Sequence, residues 1–210
     1  MNKGKVINLK NFNSILVFSK NNWCLLTLTF CLILGLISGT LLYKYSGFFY
    51  KLSGDFTKMF LELRISGSFL KVFGNSFLLS FIFLLLNFIF GTSVAGITLV
   101  PLILVARGVL FAMTACEFYA RYALIGIAFN TLYLIPSNLL SILFLIFSSK
   151  LSLLLSITVA KITMPKTTPK NLAFYFSDYC KKYLIFSIPA VISALLDATL
   201  SLKLLPYFNL

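Results

Sequence analysis

The charged residues of this chain are spaced so widely that the gaps between them set the fold. Residues 21–43, 72–106 and 122–149 contain no Asp, Glu, Lys or Arg, and 183–202 contains only Asp197. About 20 apolar residues in an α-helix cross the ~30 Å hydrocarbon core of a bilayer. Inside that core each backbone N–H and C=O needs a partner within its own segment, which selects helix over irregular chain. The run at 72–106 continues through Arg107 to Cys116 and is too long for one crossing. It fits two spans that turn at Gly91-Thr92-Ser93-Val94-Ala95-Gly96. The expected fold is all-α: a polytopic transmembrane helical bundle in one integral membrane domain, 1–210. About five spans are expected, near 22–43, 73–90, 96–116, 122–149 and 183–205, with interfacial or re-entrant helices beside them. Residues 151–164 are short for a crossing and include Lys161. They read as a re-entrant or interfacial helix, or as a continuation of the preceding span. The first span reads as an uncleaved signal anchor, because it outruns the roughly 7–15 residues of a signal-peptide core and no A-x-A site follows.

Composition excludes the other classes. Hydrophobic residues make up 60% of the chain and charged residues 11%, against roughly 45–50% and 25% in a soluble domain. That rules out a soluble enzyme and a disordered protein. The 18 Lys+Arg against 5 Asp+Glu give a net charge of +13. These cations lie mostly between apolar runs, so they point to anionic membrane lipid and not to nucleic acid. Their distribution favours, by a narrow margin, a cytoplasmic N-terminus and cytoplasmic segment 150–182, with the first loop and the C-terminus outside. Trp23, Tyr43, Tyr45, Tyr119, Tyr122 and Tyr183 fall where an interfacial aromatic belt belongs.

Two segments between spans are patterned. In the first external loop, an amphipathic helix over 45–64, Tyr45, Phe48, Phe49, Leu52, Phe56, Met59, Phe60 and Leu63 recur at helical spacing. Lys51 with Asp55 and Lys58 with Glu62 occupy another face at i, i+4. Such a helix rests on lipid, or offers Phe49, Phe56 and Phe60 to a partner. The second segment opens at Thr168-Pro169, a cap residue followed by Pro at the first helical position. It continues with a stripe of Leu172, Tyr175, Phe176, Tyr179 and Tyr183 on the cytoplasmic side.

Catalytic chemistry has little to work with. The chain has no His, which removes Ser–His pairs, the HExxH zinc helix and a rhomboid-like dyad. An intramembrane aspartyl protease needs two carboxylates in the membrane, and only Asp197 lies deep in an expected span. A prenyl-protein-type membrane protease would need clustered Glu and His. No nucleotide-binding P-loop occurs. The four cysteines show no CxxC spacing and read as small apolar residues. No enzyme, cofactor or metal is expected.

Arg107 and Asp197 are the two charges expected inside the membrane. Each costs about 2.5–3.5 kcal/mol at a helix centre on insertion scales. Three readings follow: a structural clasp between the third and last spans, Arg107 snorkelling to an interface, or a translocation path. Gly35 and Gly39 form a G-x-x-x-G in the first span, and Ala190, Ala194 and Ala198 a small-residue stripe in the last. These allow close helix approach within the bundle or between chains.

The sequence from Asn75 through Gly91 and Gly96 to Ala106-Arg107-Gly108 resembles the stage II sporulation protein M family. So do Leu134-Ile135-Pro136-Ser137-Asn138 and the closing Ser193-Ala194-Leu195-Leu196-Asp197-Ala198-Thr199-Leu200. The resemblance covers nearly the whole chain in order. It departs at Arg107, where a neutral Asn is expected, and at Asp197, where Glu is expected. The resemblance implies a non-enzymatic scaffold in the mother-cell membrane of an endospore-forming bacterium. There it would work with two peptidoglycan-degrading partners, stage II sporulation proteins D and P, during engulfment. The alternative reading is a transporter or the permease subunit of an exporter.

Overall fold

The structure, a computed structural model, describes residues 23–65, 68–163 and 172–204. Six α-helices fill them: α1 Trp23–Tyr45, α2 Gly47–Ile65, α3 Phe69–Gly91, α4 Gly96–Phe129, α5 Ile135–Thr163 and α6 Leu172–Leu204. No strand occurs among the described residues. All but α2 are long and apolar enough to cross a membrane. The outer surface fits that reading: Phe30, Leu70, Leu124, Leu184 and Ile185 point outward, more than half exposed. In water such a surface would drive aggregation, while in lipid it is the ordinary solvent-facing side. The Thr168-Pro169 cap and the leader before Trp23 lie outside the described residues.

Glycines set the closest helix pair. α1 and α4 run parallel, with Gly35 against the Val105 backbone and Gly39 against Val109 and Ala112. Gly108 faces Leu32 and Gly35 from the other side. A Cβ at Gly39 would stand 2.7 Å from the Val109 carbonyl oxygen. Here the G-x-x-x-G is an internal seam. The α6 stripe also packs inward, with Ala190, Ala194 and Ala198 all buried.

The chain reverses between α3 and α4 at the Gly91–Gly96 turn, where Gly91 lies against the Tyr179 hydroxyl and Ser152. It reverses again inside α4 at Ala123, with φ 47° and ψ −123°. Helix is continuous up to that kink, so the break expected between 116 and 122 shifts to Ala123. The reason is Glu117: it pairs with Arg121 one turn on, which lets both charges stay in helix. Past the turn Gly126 meets the Phe118 backbone, and the rings of Phe118 and Phe129 pack 5.2 Å apart. A π-helical turn, Asn130–Leu134, leads into α5. Pro136 follows it; lacking an N–H and crowding the carbonyl four residues back, Pro favours such a register shift. Residues 151–163 prove to be the continuation of α5.

Two expectations for α6 change. It is one helix from Leu172 to Leu204, without a separate cytoplasmic amphipathic helix. Tyr179 and Tyr183 are buried, and both meet the Ser152 hydroxyl, at 3.0 and 2.5 Å. Tyr183 thus belongs to the core and not to an interfacial belt. Its phenol finds a partner in Ser152 that a headgroup would otherwise supply.

Candidate functional site

The site is built around α2, which lies against the end of the bundle where α1 finishes and α3 begins. Its sequence has three faces. Ser53, Gly54, Thr57, Leu61 and Arg64 are buried against the bundle. Phe48, Leu52, Phe56 and Met59 form an exposed apolar flank. Lys51, Asp55, Lys58 and Glu62 form an exposed charged flank. At about 100° per residue the apolar flank sits roughly 150° from the buried face. The aromatic flank is thus turned away from the bundle, toward lipid or a partner. Phe60 lies at the edge, where its ring packs 6.2 Å from Phe118. Phe49 is half-buried, its ring 5.5 Å from Phe48.

Two carboxylates from other helices hold the inward face. Near the start of α2, the fully buried Glu117 of α4 accepts a hydrogen bond from the Ser53 hydroxyl at 3.2 Å and pairs with Arg121. Gly54 leaves room there for the Arg121 guanidinium, which a Cβ would approach to 2.7 Å. Near the end of α2, Arg64 reaches Asp197 of α6 at 2.5 Å, and the Ser76 hydroxyl of α3 donates to the same oxygen. The Phe60 ring lies 3.3 Å from the Arg64 guanidinium carbon, a cation–π contact. Arg64 and Asp197 are both buried. The ion pair expected between Arg107 and Asp197 is thus taken by Arg64.

Arg107 and Asp197 nevertheless line one cavity of about 80 Å³, walled also by Ser76, Ser80, Ser137, Ser141 and Ser193. Such a volume holds several waters. Arg107 donates to Asn138 Oδ1 at 3.1 Å and lies 5.1 Å from the Phe83 ring. Asn138 is held for that role by its own amide, which donates to the Leu134 carbonyl at 3.0 Å. Pro136 and Asn138 therefore act together, the first setting the π-turn register and the second presenting an acceptor to Arg107. Asn75 lies on the cavity wall although exposed, and Phe56 and Phe60 form the roof. Gly35, Gly39 and Gly108 sit in the α1–α4 seam and Gly91 and Gly96 in the α3–α4 turn, apart from the cavity.

Four polar groups escaped the sequence reading: Arg64, Ser76, Glu117 and Asn87, the last fully buried and bonded to Ser149 at 2.6 Å. The first had a visible signal. Ser53, Gly54, Thr57 and Arg64 share one face of an otherwise aromatic and charged helix, a small-residue stripe of the kind that marks close approach.

A family model described as Stage II sporulation protein M matches residues 27–202, from within α1 to within α6. The chain belongs to that family. No curated protein and no solved structure matches it. The family match covers α2, both of its carboxylate anchors and every wall of the cavity. Family and spans together make the chain a sporulation-related, multi-pass membrane protein.

Proposed function

We propose that the chain is a non-enzymatic scaffold of the mother-cell membrane that recruits and localises peptidoglycan hydrolases during engulfment, with stage II sporulation proteins D and P as partners. The observation that carries this reading is α2. Its inward face is fixed at two points, by Glu117 and by Asp197. Its apolar flank stays open, with Phe48 70% and Met59 60% exposed. A helix pinned on one face and bare on another is a preorganised docking element, because its ordering cost is met before a partner arrives.

Affinity capture from sporulating cells tests the proposal, read by whether wall hydrolases are retained. Phe56→Leu keeps an apolar surface and changes its shape. Normal retention by that variant, and by one lacking 45–64 that still inserts and accumulates, would sink α2 as the partner site. The transport alternative draws on the polar cavity that Arg107 and Asp197 share. Toward the opposite end of the bundle, Leu28, Val100, Leu104, Leu145 and Ile146 pack into a closed apolar core. That packing favours the scaffold.

A further inference from the structure

Arg107 is 5% exposed and lies midway along the part of α4 that precedes the Ala123 kink. A guanidinium carries five N–H donors. Among the described residues Asn138 Oδ1 is the one acceptor that Arg107 meets. Arg107 itself lines the cavity. Arg64 and Asp197 neutralise each other at 2.5 Å, so Arg107 leaves the cavity one positive charge in excess. An unbalanced cation at this depth is costly and marks a functional position.

A second cavity, of about 70 Å³, adjoins the first and shares Phe56, Phe60, Leu79, Arg107 and Asn138 with it. Its other walls are mostly apolar, and include Leu110, Phe111 and Leu134. Leu110 and Phe56 are each more than two-fifths exposed on the outer surface, so this cleft opens sideways to the bilayer. A polar chamber and an apolar cleft joined at an arginine match the two halves of an amphiphile.

We propose that the joined cavities bind an anionic phospholipid, its phosphodiester on Arg107 and part of an acyl chain in the cleft beside Leu110. The charge excess calls for a monoanion. The planar guanidinium fork suits phosphate oxygens, and the Ser80–Ser141 hydroxyl pair on the wall, bonded to each other at 3.2 Å, leaves one O–H to add as a donor. The net charge of +13 already favours an anionic lipid surface. Free phosphate offers the same head chemistry without the chain. This site is independent of hydrolase recruitment, and either can fail alone.

The test is native mass spectrometry of the purified full chain, released from detergent with equal amounts of phosphatidylglycerol and phosphatidylcholine. Phosphatidylglycerol should be retained about tenfold better. Arg107→Gln should abolish that preference, and Arg107→Lys should restore part of it. Leu110→Trp, which leaves the polar chamber untouched, should lower phosphatidylglycerol retention by crowding the cleft. Equal retention of the two lipids by the wild type, or an undiminished preference in Arg107→Gln, overturns the proposal. So does protection by millimolar inorganic phosphate without any lipid preference, which assigns the site to the free anion. Should Arg107→Gln fail to fold, diazirine-bearing phosphatidylglycerol on the wild type decides. Labelling within 107–116 supports the site, and labelling confined elsewhere overturns it.

Discussion

The ion pair between Arg64 and Asp197 supports a quantitative double-mutant test. Its side chains are 3% and 8% exposed, and breaking a buried pair by removing one partner costs about 3–5 kcal/mol. The two halves are not equivalent. Arg64→Met leaves Asp197 in a cavity that Arg107 also faces, so the cost falls near the lower figure. Asp197→Asn leaves two arginines facing one cavity without a carboxylate, so the cost falls near the upper figure. At about 2–4 °C per kcal/mol for a chain of this size, Tm drops by roughly 6 °C at the mildest and 20 °C at the most severe. The double variant should cost clearly less than the singles together, by about 1–3 kcal/mol of coupling. Thermal unfolding in detergent, followed with a thiol-reactive dye, reads all four states. The protein supplies its own reporters, since Cys24, Cys31, Cys116 and Cys180 are free and partly buried. Additive singles, or an Asp197→Asn protein that melts with the wild type, would refute the pairing. Coupling to Arg107→Met in place of Arg64→Met would reassign the partner.

Further outcomes follow from the same contacts. Gly39→Ala forces a Cβ to 2.7 Å from the Val109 carbonyl oxygen and should lower Tm by several degrees, whereas Gly47→Ala and Gly74→Ala, with open space around each, should be neutral or stabilising by up to about 1 kcal/mol. Ala123→Gly removes a side chain from a backbone at φ 47° and should stabilise by about 1 kcal/mol; a destabilised variant would argue against that turn geometry. Replacing both anchors with apolar residues, Glu117→Leu with Arg121→Leu and Arg64→Met with Asp197→Leu, should free α2 to roll. A cysteine at position 53, in a background lacking the native cysteines, should then become accessible to a maleimide while one at 56 loses access; an unchanged pattern would show that other contacts orient the helix.

The spans were legible because one physical rule, the cost of a bare backbone or charge in hydrocarbon, leaves its mark as gaps between charges. The same rule misplaced the α4–α5 turn. Glu117 and Arg121 read as the end of a span, yet each cancels the other along one helix face and the turn falls later. Arg107, Asn138 and Asp197 were identifiable as unusual, and they do share a cavity. The fourth member, Arg64, was not, because its helix lies outside the charge-free runs. A charge that looks ordinary on a loop becomes buried only when tertiary packing turns its face inward.

The orientation of α2 follows a rule particular to the membrane edge. For a helix bounded by water, the apolar stripe finds the core because burial removes it from water. At a membrane edge the stripe already has lipid, which is as apolar as leucine, and gains little by packing on protein. The polar groups have more to gain. Arg64 meets Asp197, a carboxylate that would otherwise stay buried without its ion pair, Ser53 adds a hydrogen bond to the buried Glu117, and together these outweigh the apolar term. So the small and polar face turns inward, the charges take the aqueous side, and the aromatic flank is left toward lipid or a partner. One set of contacts thus roofs the cavity around Arg107 and exposes the surface proposed for docking. The two sites are separate in chemistry and are both positioned by the anchoring of one helix.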